Sequence, residues 1–311
     1  MMDRLAAEIV VHGVVATSVV ALLIHLQPDL SSSARFRLWL LALLGPVWLA
    51  PLYALLFPAR LADAFRDDWA LFSGSHWTSV AWHGVGAGAV MVLLGAGLGL
   101  LLVLRDFVPL AAEAGSARAR GREVADRSGV LTSAVARAAQ ALDTSAPALH
   151  MWNTEDAVLA CRGLRRPVIV ASTGLVRLLA PNELAAALAH EIAHAKWRDP
   201  ARGWVVVVLR AAFFFSPGLQ VAARALVQTM ESAADDSAAR AIGDARTVAQ
   251  ALLKMVGDRD DRLTAWQRWK KRAIEHRCAL VLSPGRTVSV SAAGMAAMAT
   301  GLALLLFFTV A

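Results

Sequence analysis

Charged residues are scarce in this sequence, and hydrophobic residues are abundant. Of its 311 residues, 18% are charged and 57% are hydrophobic, which excludes a disordered chain and an ordinary soluble domain. The two cysteines, Cys161 and Cys278, form no close motif, so neither a disulfide framework nor a cysteine-based metal site is indicated. Lys and Arg outnumber Asp and Glu by 31 to 24. Basic cytoplasmic loops of a membrane protein explain this excess, so we expect no nucleic-acid partner.

Four apolar runs contain no Asp, Glu, Lys or Arg. They cover residues 9–26, 38–57, 80–104 and 287–310. Each is long enough to cross a hydrocarbon core, which needs about 20 apolar residues. The first run resembles a signal peptide in its position, but no small-residue cleavage site and polar tail follow it. The sequence therefore predicts four transmembrane helices, the last within residues 287–311.

A few polar or small residues interrupt these runs. Glu8 and His12 share one helix face, and His83 lies near the start of the third run. Ionisable groups at membrane depth are candidates for function, while placement at the interface or pairing within the bundle is the simpler interpretation. Because such groups are so few, a transporter or channel is disfavoured. A small-xxx-small spacing, which lets a neighbouring helix approach closely, is repeated by Gly84, Gly88, Gly95 and Gly99.

The basic residues near the ends of the runs predict the direction of each helix. In the first loop, Arg35 and Arg37 stand beside only one acidic residue, and five arginines follow the third run between residues 105 and 127. In the loop between the second and third runs, acidic residues outnumber basic ones. The positive-inside rule then places both termini outside and residues 105–286 in the cytoplasm.

Residues 105–286 have the size of one domain. Within them, residues 167–171 form a short β-type segment bounded by turn residues. A helix is predicted to begin at Pro181, because proline is tolerated in the first turn, and to end at Trp197, before Asp199 and Pro200.

The predicted helix carries the sequence His-Glu-Ile-Ala-His at residues 190–194. Residues four apart lie on one helix face, so the imidazoles of His190 and His194 can bind one zinc ion. Glu191 lies about 100° round the helix, off the ligand row, where it can accept a proton from water. Chance produces this pattern only roughly 0.005 times in such a composition, so a surface helix with incidental histidines is the weaker interpretation.

A catalytic zinc of this kind needs a third protein ligand. Glu231, on a helix predicted over residues 219–241, is the natural candidate. Asp235 lies on the same face and could accept the free N–H of a ligating imidazole. A solvated acidic face is the alternative interpretation of this pair. Small neighbours favour the ligand interpretation because they allow close helix packing; they are Ala233, Ala234, Ala238 and Ala239.

The apolar stretch 204–216 lies between these two motifs. It is too short for a confident fifth span and is interrupted by Arg210. We expect it to be buried in the domain or to lie against the bilayer.

Three segments together resemble the gluzincin membrane peptidases, in particular the BlaR/MecR type of β-lactam-sensing antirepressor metallopeptidases. They are residues 165–175, Asn182-Glu183-Leu184, and HEIAHAKWRDP at residues 190–200. The resemblance implies an α-helical membrane protein with four transmembrane helices and an α+β gluzincin-type domain inserted between helices three and four. It implies one Zn²⁺ per chain on His190, His194 and Glu231, with Glu191 catalytic and Asp235 supporting the ligands.

Two features depart from those receptors. The receptors carry an extracellular penicillin-binding domain after the fourth span, whereas this sequence ends at Ala311. We therefore expect the signal to come from a separate sensor protein or from the short outer loop. Many gluzincins also stabilise the transition-state oxyanion with Tyr, His or Arg, but the single tyrosine, Tyr53, lies within a span. The candidates that stay open are His276, Arg272 and Arg277, and an ordinary surface histidine is the simpler interpretation of His276.

The HtpX type of quality-control peptidase is the first alternative to the BlaR/MecR type, because it shares both motifs. Its later His-Pro pair with a following Arg is absent here. The basic stretch at residues 268–275 instead resembles the BlaR/MecR type. By composition, this stretch fits either an interfacial helix or a solvated one.

We therefore expect a multi-pass protein of the bacterial inner membrane that cleaves a cytoplasmic protein, such as a transcriptional repressor, or itself in signalling. An extended substrate would bind to an edge strand formed by Val168, Ile169 and Val170. A rival hypothesis is a catalytically silent scaffold with a structural zinc, which would need a fourth protein ligand such as His150 or Cys161. The sequence is compatible with a homo-oligomer and specifies neither the substrate nor the trigger.

Overall fold

The computed structural model describes residues 2–71, 81–82, 85–118, 122–126, 129–256, 265–283 and 288–309, and most of these are helical. The helices are α1 (Met2–Leu26), α2 (Ser32–Leu56), α3 (Asp63–Asp68), α4 (Ala87–Arg118), α5 (Val130–Ala141), α6 (Thr173–Leu178), α7 (Pro181–Trp197), α8 (Asp199–Ala212), α9 (Pro217–Ile242), α10 (Ala245–Val256), α11 (Ala265–Leu282) and α12 (Ala292–Thr309). The strands are β1 (Ala81–Trp82), β2 (Val85–Gly86), β3 (Arg122–Val124), β4 (Ala148–Asn153), β5 (Leu159–Arg162) and β6 (Val168–Ser172).

The chain divides into two compact units. The helical unit comprises residues 1–107, 206–229 and 286–311, and the sheet unit comprises residues 108–205 and 230–285. Residues 206–229, which the sequence analysis grouped with the cytoplasmic segment, therefore make their contacts within the helical unit. The assignment of residues 105–286 to a cytoplasmic domain stays a prediction.

Among the described residues, three helices of the helical unit are long and apolar enough to cross a membrane, which marks the chain as a membrane protein. They are Leu5–Leu26 of α1, the whole of α2, and the whole of α12. The start of α2 is fixed by Ser31, whose hydroxyl accepts a hydrogen bond from the backbone N–H of Ala34 at 3.3 Å. Small buried residues such as Ala16, Ala34 and Ala42 lie in the shared core, so these helices can approach closely.

The third predicted span begins later than the sequence analysis expected. Residues 81–82 and 85–86 pair as the antiparallel strands β1 and β2, and α4 begins only at Ala87. Glycine is frequent in this part of the sequence and is a poor helix former, which explains the late start. The apolar part of α4, Ala89–Arg105, is shorter than the other three helices, so a fourth crossing stays a prediction. His83 and Gly84 lie outside the described residues.

The buried ionisable residues of the helical unit include an ion pair. The Oε1 atom of Glu8 lies 3.4 Å from Nη1 of Arg60, and both side chains are almost fully buried. Arg60 also donates from Nε to the backbone carbonyl of Phe307 at 3.0 Å. This agrees with the simpler interpretation of Glu8, pairing within the bundle. His12 is fully buried beside the ring of Tyr53.

Residues 206–229 form a helical hairpin from the end of α8, a turn and the start of α9. The turn packs against α1 and α4 at positions where only glycine leaves room. A methyl group at Gly218 would overlap the backbone of Gly13, and one at Gly99 would overlap the carbonyl oxygen of Phe214. Thr17 of α1 donates a hydrogen bond to the carbonyl of Gly218 at 2.9 Å. The turn is therefore held against two helices of the same unit.

The sheet unit contains a four-stranded sheet in the order β3-β4-β6-β5. Strands β4 and β6 are parallel, whereas β5 runs antiparallel to β6 and β3 runs antiparallel to β4. The expectation that Val168, Ile169 and Val170 form an edge strand is wrong, because β6 is bonded on both sides. Its apolar run suits a strand that is buried on both faces, and β5 is the edge strand beside it.

The sheet packs against α7, which has the bounds that the sequence predicts. Ile169, Leu188 and Ile192 are fully buried in one core. Glu183 caps the first turn of α7, accepting a hydrogen bond from the backbone N–H of Ala180 at 2.8 Å. The helix stops at Arg198, whose φ of 56° is left-handed. This core therefore fixes the axis of the helix that carries the His-Glu-x-x-His motif.

We expect Gly99→Ala to weaken the helical unit, because its methyl group must displace the hairpin turn, at a cost of about 1–3 kcal/mol for overpacking. Gly97→Ala is the matched control: nothing lies within 4 Å of an added methyl group there, and alanine favours helix by roughly 0.5–1 kcal/mol. Thermal unfolding of the full chain in mild detergent would compare the two. Equal unfolding temperatures would contradict the turn's contact with α4.

Candidate metal centre

Helix α7 brings the two motif histidines together inside the sheet unit. Their Nε2 atoms lie 3.1 Å apart, and each residue is only 9% exposed. The spacing follows from the helix, since His190 and His194 are one turn apart on the same face. Two facing imidazole nitrogens at this distance are arranged as ligands of one ion.

Glu231 of α9 supplies the third donor. Its Oε2 lies 3.6 Å from Nε2 of His190, and its Oε1 lies 3.6 Å from Nε2 of His194. Ligands bound to zinc at about 2.0–2.1 Å in tetrahedral geometry stand about 3.3–3.4 Å apart. The observed separations bracket this value, so these residues fit a zinc ion. They are the group of metal-ligating side chains that the described part of the chain brings together.

A carboxylate lies behind each imidazole. Oδ1 of Asp235 is 2.9 Å from Nδ1 of His190, and Oδ2 of Asp199 is 2.8 Å from Nδ1 of His194. The hydrogen bond from Asp199 favours the tautomer of His194 in which Nε2 is free to bind a metal, whereas Asp235 lies at ion-pair distance from His190 without a hydrogen bond of good geometry to Nδ1. Asp235 lies next to His190, and its supporting role stays a prediction. The sequence pattern did not indicate the contact of Asp199 with His194, because Asp199 follows the helix instead of lying on its ligand face.

Arg277 of α11 links the acidic groups. Its Nε and Nη2 atoms bind both oxygens of Asp235, at 2.8 and 2.7 Å, and its Nη1 lies 2.9 Å from Oε2 of Glu231. Of the three basic candidates on this helix, Arg277 is therefore the one in the centre. The side chains of His276 and Arg272 are exposed.

The charges of the centre shift one another's pKa values. Burial alone would lower the pKa of His190, but the carboxylates of Asp235 and Glu231 outweigh it and raise that pKa to about 10. Burial would raise the pKa of Glu231, yet His190, Arg277 and His194 hold it well below its usual range. Without a metal, the raised pKa means that His190 carries a positive charge at neutral pH. The carboxylate charges that raise this pKa also favour a bound cation, and a metal ion would have to displace the proton from His190, so its binding should release a proton.

Glu191 lies beside the ligand row and contacts the edge strand. Its Oε2 accepts a hydrogen bond from the backbone N–H of Cys161 at 2.6 Å. This N–H belongs to β5 and points away from β6, since its hydrogen atom goes to a side chain. The general-base candidate and the free edge of the sheet are therefore adjacent.

The two residues that a silent scaffold would use as a fourth ligand lie elsewhere. Nδ1 of His150 is 2.6 Å from Oε1 of Glu123, on the strand at the other edge of the sheet. Burial, followed by the charges of Glu191 and Asp199, raises the pKa of the Cys161 thiol to about 12. Neither residue belongs to the group of His190, His194 and Glu231.

Comparison with known proteins gives one positive finding. The model of the family described as BlaR1 peptidase M56 matches residues 120–281. The comparison with curated proteins gave no match. The matched residues include the His-Glu-x-x-His helix, Glu231, Asp235 and Arg277, and members of this metallopeptidase family are generally zinc-dependent. The chain therefore belongs to the BlaR1 peptidase M56 family, which confirms the resemblance to membrane metallopeptidases of the BlaR/MecR type.

Proposed function

We propose that this protein is an integral-membrane, zinc-dependent endopeptidase that cleaves a cytoplasmic protein, such as a transcriptional repressor, or itself in signalling. The convergence of His190, His194 and Glu231, with Glu191 beside them, carries the proposal. Three protein ligands with a neighbouring carboxylate are typical of a catalytic rather than a structural zinc site. Family membership supports the same reaction class.

In this proposal His190, His194 and Glu231 hold the zinc ion, while Asp235 and Asp199 orient the imidazoles. When bound, zinc supplies Lewis-acid chemistry, lowering the pKa of water toward about 7 and polarising a peptide carbonyl. Arg277 fixes the two carboxylates that it contacts. Since its donors already bind Asp235 and Glu231, these contacts support a positioning role over stabilisation of an oxyanion.

Glu191 acts as the general base and then as the general acid. Its carboxylate accepts a proton from water as the oxygen attacks the peptide carbonyl carbon and a C–O bond forms. It then donates that proton to the amide nitrogen as the C–N bond breaks, which produces a carboxylate and an amine. The carboxylate must leave the N–H of Cys161 to do so.

The free edge of β5 is the proposed site for the substrate backbone. An extended peptide adds to a sheet edge through main-chain hydrogen bonds, and β5 is the edge strand next to Glu191. The role first given to Val168, Ile169 and Val170 thus passes to the neighbouring strand. A peptide carbonyl bound to the N–H of Cys161 would replace Glu191 there.

We further propose a bacterial inner-membrane location with the peptidase domain in the cytoplasm and both termini outside. The support is the distribution of arginines near the apolar runs. The topology requires α4 to act as the third crossing. A repressor substrate, a separate sensor protein and a homo-oligomer remain parts of this proposal that rest on the resemblance.

Glu191→Gln should keep zinc and lose cleavage, because the amide neither changes the ligands nor accepts a proton. Elemental analysis of the purified protein should give one zinc per chain in both forms. Proteomics of cells should show a substrate fragment with the wild-type protein only. Glu155→Gln, an exposed residue outside the centre, is the matched control. If Glu191→Gln cleaves as well as the wild-type protein, Glu191 is not the general base.

Asp199→Asn should weaken zinc binding by about 10–100-fold, because the amide no longer fixes the tautomer of His194. Chelator competition on the purified protein measures the affinity. Asp143→Asn makes the same chemical change at an exposed position with a left-handed φ of 49°, which asparagine tolerates. Equal zinc affinity of the two variants would show that Asp199 does not act on the metal centre.

Cys161→Pro should raise KM for a peptide substrate while zinc stays bound, because proline removes the N–H that faces the free edge of β5. Proline is tolerated at an edge strand when its missing N–H faces outward. Cys161→Ala keeps the N–H and should behave as wild type. If Cys161→Pro has an unchanged KM at full zinc content, the substrate does not bind along β5 through this group.

A further inference from the structure

The hairpin formed by residues 206–229 has an apolar outer surface. Four of its five exposed large side chains are hydrophobic: Val208 is 60% exposed, Phe214 41%, Val221 47% and Val227 39%. Gln228 is the one exposed polar residue of this segment. In water, this surface would cost free energy over most of the hairpin's length. An apolar medium is its natural surrounding.

The arginine that interrupts the apolar stretch 204–216, Arg210, points into the hairpin, and the second arginine of residues 206–229, Arg224, is partly buried. Arg210 is only 7% exposed, and its Nε donates to Oε1 of Gln220 at 2.9 Å. The amide of Gln220 in turn donates to the backbone carbonyls of Arg210 and Phe213, at 2.9 and 3.3 Å. These carbonyls belong to the last turn of α8 and the bend after it, where helical partners end. Internal satisfaction of such groups is what a bilayer interior requires.

The turn of the hairpin lies beside the middle of two apolar helices. It contacts α1 at Gly13 and Thr17, near the centre of the candidate span Leu5–Leu26. It contacts α4 at Gly95 and Gly99, on either side of the centre of the apolar part, Ala89–Arg105. A helix lying on the membrane surface would instead meet the ends of such helices.

The hairpin is too short to cross. Residues 206–212 of α8 extend about 10 Å and residues 217–229 of α9 about 20 Å, at 1.5 Å per residue, whereas the hydrocarbon core is about 30 Å thick. A segment of this length that reaches the middle of the membrane must return to the side from which it entered.

We propose that residues 206–229 form a re-entrant hairpin that enters the bilayer, places its turn near the midplane and leaves on the same side. Lipid acyl chains contact Val208, Phe214, Val221 and Val227. This assigns the stretch 204–216, for which burial in the domain was an alternative, to contact with lipid.

Site-directed spin labelling of the full-length protein in phospholipid vesicles tests this proposal. Single cysteines at Val208, Phe214, Val221 and Val227 would be labelled after replacement of Cys161 and Cys278 by alanine. Collision with oxygen, which concentrates in the bilayer, is compared with collision with a water-soluble nickel chelate. Glu155→Cys, whose side chain is 83% exposed in the sheet unit, is the reference for water. An unfolding temperature equal to that of the unlabelled parent confirms that each variant is folded.

The oxygen-to-nickel ratio should be several-fold higher at Phe214 than at Glu155, with lower values at Val208 and Val227 than at the turn. Val221, on the other limb of the hairpin, gives an independent reading if the label at Phe214 disturbs folding. Equal ratios along the hairpin would indicate a helix pair lying on the surface and would overturn the proposal. So would high nickel collision, which means water, or low collision with both reagents, which means a covering protein. The readout needs no peptidase activity, so it stands or fails separately from the proposed function.

Discussion

The candidate metal centre depends on two carboxylates that lie against its two imidazoles. Asp235 lies behind His190 and Asp199 behind His194, so both Nε2 atoms face Glu231. Burying so many ionisable groups is unfavourable unless each has a partner of opposite charge. Arg277 provides that balance, because it binds Asp235 with two nitrogens and Glu231 with a third. The positions of these side chains are thus set by the pairing of opposite charges in a partly buried site.

These side chains converge because α7 is packed against the sheet and the other residues lie on elements next to α7. Ile192 and Leu188 anchor the buried face of α7 against β6, leaving the histidines on another face. Asp199 follows directly after the left-handed residue that ends the helix. Glu231 and Asp235 are one turn apart on α9. In the sequence, the hairpin of residues 206–229 separates Asp199 from Glu231, so the centre is assembled across an apolar insertion.

Features set by local spacing could be predicted from the sequence, and features set by distant pairing could not. The bounds of α7, the common face of His190 and His194, and the Glu231–Asp235 spacing all follow from helical periodicity. The sequence does not show which strand lies at an edge, because that depends on pairing between β5 and β6. A hydrophobic run suits a central strand as well as an edge. The inward direction of the Arg210 side chain likewise depends on Gln220, ten residues away.

The contact between Glu191 and Cys161 joins two requirements of a peptidase that uses a sheet edge. An exposed edge presents unpaired N–H groups that invite unwanted strand pairing, and the carboxylate of Glu191 covers one of them. In the proposed mechanism, the same carboxylate is needed as a base only when a peptide is present. A substrate carbonyl that takes the N–H of Cys161 would free Glu191 at that moment. A single exchange of hydrogen-bond partners would then make the N–H of Cys161 available to the substrate and free Glu191 to act as the base. The position of β5 beside α7 makes this exchange possible.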